Sequence, residues 1–376
     1  MRVALGILIG AVVLAAAAAA GVGWYYSNEI LGPDKASSLE EQRVIAAGAD
    51  RIELSRDAES LLPGRWALQW QGGYGALGDV LETTDTSVVR AFRPVVGTPP
   101  VGRLASIKGV SRSADPLTML GMAFERVEYA GPLGSYPAWF IPGRDSTWVI
   151  FVHGRGANPS ESLRTLEVIA ARRLPGLAIT YRNDAGAPRS KDGRYHLGQD
   201  EWRDLEAAVR WAIGQGARDV VLIGYSMGGQ IVMQFMTGSD MAPYVRGVVL
   251  ESPVLNWSAT LDYRASVMGV PSLVTRIGEW VATLRAGLDW DGLDRVRHAR
   301  GMTTPALLFH NVPDVWTPIA VSESLAGALP DVVTFVRIPT GGHVEAWNAD
   351  HDGYAAAMNA WLTARGLAGP DSVTAN

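Results

Sequence analysis

The sequence predicts a doubly wound α/β fold on a mostly parallel sheet, preceded by an apolar N-terminal segment and a small β-rich module. Two features carry this expectation. From Phe124 onward, short β-prone runs alternate with stretches of helical periodicity, the pattern of βαβ units with helices on both sheet faces. Within that succession, Gly224-Tyr225-Ser226-Met227-Gly228 stands where one strand ends and a helix begins. At 376 residues, 48% hydrophobic and 19% charged, the chain can hold one large domain and a smaller module and is not composed like a disordered one.

The net charge of -5 leaves no basic surplus to neutralise phosphates, so nucleic acid is not an expected partner. The chain has no cysteine, which removes disulfides, thiolate metal sites and thiol nucleophiles from consideration. No zinc-protease motif is present either.

Residues 1–27 form the first unit. Val3 to Val22 carries no charge, Arg2 precedes it and Trp24, Tyr25 and Tyr26 follow. That length matches a bilayer core, the aromatic trio suits the membrane–water interface, and Arg2 places the N-terminus in the cytoplasm. The expectation is a single-pass membrane anchor in contact with the bilayer through residues 3–26, with the larger domain outside. A cleaved signal is the alternative, since Ala15 to Ala20 offers small-residue cleavage sites and the domain would then be secreted.

Residues 28–118 read as the β-rich module, with β-prone runs Arg65 to Gln71 and Ser87 to Val96 broken by Gln71-Gly72-Gly73 and Gly97-Thr98-Pro99-Pro100. Residues 119–367 carry the larger domain, and 368–376 a flexible tail. Phe124 to Tyr129 and Tyr136 to Ile141 form a hairpin leading to the strand Trp148 to Val152. Asn158, Pro159 and Glu161 open a helix with Leu163, Leu166, Ile169 and Ala170 on its inner face. A strand Leu177 to Tyr181 and a helix facing inward with Trp202, Leu205, Val209 and Ile213 follow. Val220 to Ile223, Gly247 to Leu250, Ala306 to Phe309 and Val332 to Ile338 complete the strands, and Tyr354 to Ala364 closes the fold. The insertion 257–300 holds an amphipathic pattern at Leu273, Val274, Ile277, Trp280, Val281, Leu284 and Leu288. It either packs on the domain or forms a lid.

Chemistry concentrates at Ser226. A serine on a tight strand-to-helix turn projects its hydroxyl above the sheet, and the turn requires very small neighbours, here Gly224 and Gly228. Serine needs a base oriented by a carboxylate. Among six histidines, His343 in Thr340-Gly341-Gly342-His343 follows a strand and precedes the last helix, at the sheet edge where ligands bind. His153 and His310 end strands and read as structural, His298 and His351 as surface residues, and His196 as a loop residue that could line the site. Asp314, after the strand Ala306 to Phe309, is preferred over Glu251 as the orienting carboxylate because the order serine, aspartate, histidine fits this topology. The amides of Met227 and of Arg155, in His153-Gly154-Arg155-Gly156, are the candidate oxyanion donors, with the Arg155 side chain read as a surface charge.

These motifs resemble the α/β-hydrolase superfamily over about Leu120 to Leu367. Tyr181-Arg182-Asn183-Asp184 and the elbow are similar to its serine aminopeptidase-like and acylglycerol-lipase-like branch. The resemblance implies acyl transfer to water through a covalent acyl-enzyme, with no metal or organic cofactor and a small-molecule or peptide acyl substrate. Ester hydrolysis is the first expectation and an exported peptidase or amidase the second. A non-catalytic membrane-held binding module would be signalled by loss of a triad member, and all three are present.

Overall fold

The computed structural model describes residues 17, 20–32 and 41–367. The expected tail 368–376, and most of the expected membrane segment Val3 to Val22, lie outside the described residues. Among the described residues no helix is long and apolar enough to cross a membrane. Residues 20–31 form helix α1, which lies against the larger domain: Ile30 and Leu31 are buried in that domain's main core.

The β-rich module is a closed antiparallel barrel. Its strands β1 (Gln42–Ala47), β2 (Arg51–Ser55), β3 (Trp66–Trp70), β4 (Gly73–Thr83), β5 (Ser87–Val96) and β6 (Leu104–Lys108) run in the order β1-β2-β5-β4-β3-β6. Alternation of inward and outward side chains gives the barrel its own core, which includes Val44, Leu54, Trp66, Leu68, Trp70 and Phe92. The β3 and β5 runs are the ones legible in the sequence. The short, charge-bearing β1, β2 and β6 are not, because only their pairing with neighbours makes them strands.

Arg90 of β5 is fully buried in the barrel. Its guanidinium donates to the Gly78 carbonyl from Nε at 2.8 Å and from Nη2 at 2.6 Å, and Nη2 also reaches the Gly64 carbonyl at 3.0 Å. Nη1 reaches the Ser60 carbonyl at 3.3 Å. A buried cation thus ties the β2–β3 connection, which faces the larger domain, to β4.

Helix α2 (Pro116–Leu120), capped by Asp115, links barrel and sheet. The sheet has eight strands: β7 (Glu125–Gly131), β8 (Gly134–Ile141), β9 (Thr147–Val152), β10 (Gly176–Ile179), β11 (Asp219–Tyr225), β12 (Val245–Glu251), β13 (Ala306–Asn311) and β14 (Val333–Ile338). Their order is β14-β13-β12-β11-β9-β10-β8-β7, parallel from β14 to β10, with the β7–β8 hairpin antiparallel at one edge. The central strands β9, β10 and β13 are buried at every residue, as a sheet covered on both faces requires. Helices α3 (Leu163–Ala171), α4 (Trp202–Gly214) and α5 (Met227–Gly238) follow β9, β10 and β11.

The insertion folds into α6 (Trp257–Val267), α7 (Ser272–Ala286) and α8 (Arg295–His298). The expected inner stripe of α7 is split: Val281 and Leu288 are buried and Val274 and Ile277 half-buried, but its other three members face outward. Leu273, Trp280 and Leu284 are exposed, while Thr275, Gly278, Glu279, Val281 and Ala282 are buried. Helix α1 explains part of this: a Cβ on Gly23 would come within 2.9 Å of Ile277 Cγ2, so the two helices meet at a glycine. Helices α9 (Ile319–Ala328), α10 (Ala346–Ala349) and α11 (His351–Thr363) complete the domain.

Arg90→Met would leave the Gly78 and Gly64 carbonyls without their donor and should destabilise the barrel by about 2–4 kcal/mol. Urea unfolding followed by circular dichroism, against the unaltered chain, measures the loss.

Candidate active site

Ser226 sits between β11 and α5 with φ 51° and ψ -117°, a conformation L residues seldom adopt. The turn is possible because its neighbours are small. A Cβ on Gly228 would overlap the Val152 carbonyl oxygen and lie 2.7 Å from that of His153, and one on Gly224 would lie 2.7 Å from the Gly228 carbonyl oxygen. The elbow therefore presses directly on the end of β9, as the sequence pattern requires.

The loops after β13 and β14 bring Asp314 and His343 to the same edge. His343 Nε2 lies 2.8 Å from Ser226 Oγ, and His343 Nδ1 lies 2.8 Å from Asp314 Oδ2. With the ring proton on Nδ1, as this network assigns it, Nε2 is free to accept the serine proton. Asp314 Oδ1 accepts the amides of Trp316 (2.7 Å) and Thr317 (3.0 Å), and Oδ2 accepts the Thr317 hydroxyl (2.7 Å). Burial alone would raise the Asp314 pKa. Hydrogen bonds from His310 and His343, the His343 charge and the Thr317 amide outweigh it and hold the carboxyl well below the usual range. His310, expected to be merely structural, thus also supports the carboxylate: its Nε2 is 3.4 Å from Asp314 Oδ2, and its Nδ1 is 2.8 Å from Ser322 Oγ. The hydroxyl contact of Thr317 with Asp314 is not legible in the sequence.

A cleft of about 250 Å3 opens over Ser226, bordered by Gly154, Arg155 and Glu161 on one side and His343 on another. Its third wall is Lys108 to Arg112, the exit of the barrel, and no residue of 257–300 lines it. Of the two readings of the insertion, this wall offers no support for a lid, and the module supplies the wall instead. A similar hollow of about 270 Å3 on the barrel, around Arg51, Glu53 and Glu82, contains no serine–histidine pair. Met227 lies in the first turn of α5, where amides have no intrahelical acceptor, and Arg155 lies in the loop facing Ser226. The Arg155 side chain is no free surface charge: Nη1 donates to the carbonyls of Glu29 (2.7 Å) and Ile30 (2.8 Å), closing the end of α1.

The family model described as Alpha/beta hydrolase family matches residues 149–373. The chain belongs to the α/β-hydrolase family. A second model, described as a domain of unknown function (DUF8805), matches residues 43–108, the barrel of this hydrolase. No curated protein matches the sequence. Among solved structures, an esterase of Pyrococcus furiosus is similar at 15% identity with a TM-score of 0.55, over 67% of this chain and 94% of that one. A putative aryl esterase of Burkholderia cenocepacia is similar at 16% identity with a TM-score of 0.47, over 64% of this chain and 99% of that one. At these identities the likeness concerns the fold.

The loop carrying His343 is fastened from below and from the barrel. Buried Arg164 donates to the Val344 carbonyl and lies 3.0 Å from Glu161, whose other oxygen accepts the Gly154 amide at 2.7 Å. Asn348, fully buried, donates from Nδ2 to the carbonyls of Arg65 (2.7 Å) and Gly109 (2.8 Å), and its own carbonyl accepts the Arg65 amide at 3.0 Å. Gly64 allows this approach, since a Cβ there would overlap the Asn348 carbonyl oxygen. In the sequence, the only hints were a charge beside the inner face of α3 and a polar residue flanked by Trp347 and Ala349.

The remaining candidates take other places. Glu251 accepts the Ala346 amide at 3.0 Å, beneath the His343 loop and not at the His343 ring, and burial raises its pKa. His153 pairs with Asp184 at 2.8 Å, and this outweighs burial to raise its pKa. His298 is surface-exposed, and His351 bridges Asp352 and Arg65. His196 does not line the cleft. It lies between Asp200 and Asp192, and its hydrogen bond to Asp200, against the cost of burial, pushes its pKa up to about 9.

Because the folded state raises the His196 pKa, its stabilising contribution is complete below about pH 6.5 and is lost as pH rises through about 9. Thermal melting from pH 6 to 10 should therefore show a smaller alkaline decline in His196→Gln than in the unaltered hydrolase. Asn348→Ala removes the donor to the Arg65 and Gly109 carbonyls and should lower stability by about 1–3 kcal/mol, read by denaturant unfolding.

Proposed function

We propose that the protein is a serine hydrolase of carboxylic esters, acting through an acyl-enzyme on Ser226 with His343 as general base and Asp314 as its orienting carboxylate. The observation that carries this reading is the unbroken hydrogen-bond line from buried Asp314 through His343 to Ser226, each step 2.8 Å, at the floor of an open cleft. Ser226 Oγ attacks the ester carbonyl carbon while its proton passes to His343 Nε2. The amides of Met227 and Arg155 take the charge developing on the carbonyl oxygen. Collapse of the tetrahedral intermediate breaks the bond to the leaving alcohol, which receives the proton from His343. Water, deprotonated by His343, then attacks the acyl-enzyme, and its collapse releases the acid and returns the proton to Ser226. Asp314, held ionised, keeps the ring oriented and stabilises its cationic form. The elbow serine argues against carboxylate-nucleophile chemistry, and no step calls for a metal or organic cofactor.

The choice of ester over amide extends the reaction class named for the P. furiosus protein to this chain. The resemblance to the aminopeptidase-like branch makes a peptidase or amidase the competing use of the same residues. We further propose that the N-terminal segment exports the domain and holds it at a membrane, on the strength of the uncharged run Val3 to Val22.

Ser226→Ala should abolish labelling by a fluorophosphonate probe and lower turnover of nitrophenyl esters by a factor on the order of 10^4 to 10^6. Retained labelling would overturn the assignment of Ser226, and turnover of aminoacyl-naphthylamides well above that of the esters would reverse the choice of substrate.

A further inference from the structure

Helix α7 carries apolar side chains on its outer side as well as its buried one. Its buried side presents Thr275, Gly278, Glu279, Val281 and Ala282 to the domain. Its outer side carries Leu273, Trp280 and Leu284, exposed by 69%, 63% and 67%. Their spacing of seven and four residues sets them on one stripe about 16 Å long. A helix facing water would carry polar side chains on that side, and large apolar side chains clustered on one face mark a surface with a partner.

Helix α1 crosses α7 and adds to this surface. Gly23 meets Ile277, Tyr26 meets Gly278, and the Arg285 guanidinium lies 3.9 Å over the ring of Trp24. Trp24 and Tyr25 remain 55% and 60% exposed. The chain reaches this place directly from Val3 to Val22, which is free of charge. Arg276 and Arg285 flank the apolar stripe, the arrangement of helices that rest in a lipid headgroup layer with apolar residues down and cations beside them.

We propose that the outer face of α7, together with Trp24 and Tyr25, is a docking surface for the lipid–water interface of a membrane. The inference rests on the membrane reading of the N-terminal segment and goes beyond it: the bilayer has a second contact, made by the insertion of the hydrolase domain. Arg155 borders the Ser226 cleft and holds the last carbonyls of α1, so this surface and the cleft share one structural element.

Because the chain has no cysteine, Leu284→Cys gives a single thiol at an exposed position. The full-length variant would be labelled with the environment-sensitive fluorophore NBD and reconstituted into phosphatidylcholine–phosphatidylglycerol vesicles, with and without nitroxide-bearing phosphatidylcholine. Gln215→Cys, exposed beside the start of β11 at the opposite sheet edge from Ser226, is the control. The expected result is a blue-shifted emission at 284 that loses most of its intensity to the nitroxide lipid, with neither change at 215. An unshifted, unquenched label at 284 on protein that still floats with the vesicles overturns the docking surface and leaves the anchor standing. A blue shift without nitroxide quenching means that protein, either a second copy or another part of the chain, covers the face, and this also overturns the proposal. Protein that fails to float removes the anchor and the docking surface together.

Discussion

The close passage of the elbow over the end of β9 is the constraint on which the site depends. Ser226 can take its left-handed backbone only because Gly228 lets the start of α5 lie against the carbonyls of Val152 and His153, and Gly224 lets the chain fold back on Gly228. Strain of this kind is on the order of 1–3 kcal/mol and persists only where the surroundings leave no other conformation. Here the surroundings are the buried strands β9, β11 and β12, and the Ser226 amide is itself bonded to the Glu251 carbonyl at 3.0 Å. A rigid sheet thus holds a high-energy turn in place, and the hydroxyl points into the cleft as a consequence.

The proposed base, His343, is held differently. His343 stands on a loop, and its position comes from buried polar contacts on several sides. Asp314 fixes the ring, Arg164 fixes the following carbonyl, and Asn348 ties the next turn to the barrel. Arg90 in turn ties the barrel's Gly64 connection, the one that meets Asn348. Low-dielectric surroundings make such contacts strong when complete and expensive when broken, so barrel and hydrolase domain form one functional unit. The barrel also forms a wall of the cleft through Lys108 to Arg112.

The insertion shows a similar dependence on neighbours. Its apolar residues suggest a helix that packs inward, yet α1 and a mixed face of α7 that includes Val281 and Ala282 meet the domain, leaving Leu273, Trp280 and Leu284 outside. An amphipathic pattern states that a helix has two faces. It does not state which one meets the protein.

By itself, the sequence determined the local and ordered features: the parallel strands, the strand-to-helix turn at Ser226, and the chain order that singled out Asp314 and His343. Those follow from short-range rules, because periodicity, glycine tolerance and strand-end position are properties of a few consecutive residues. Tertiary structure alone decided that β1, β2 and β6 close a barrel, that His310 and Thr317 support Asp314, that Arg155 ends α1, and that Asn348 joins two domains. Each of these is a contact between residues far apart in the chain or a hydrogen bond set by a rotamer, and hydrogen-bonding capacity in a side chain does not name its partner.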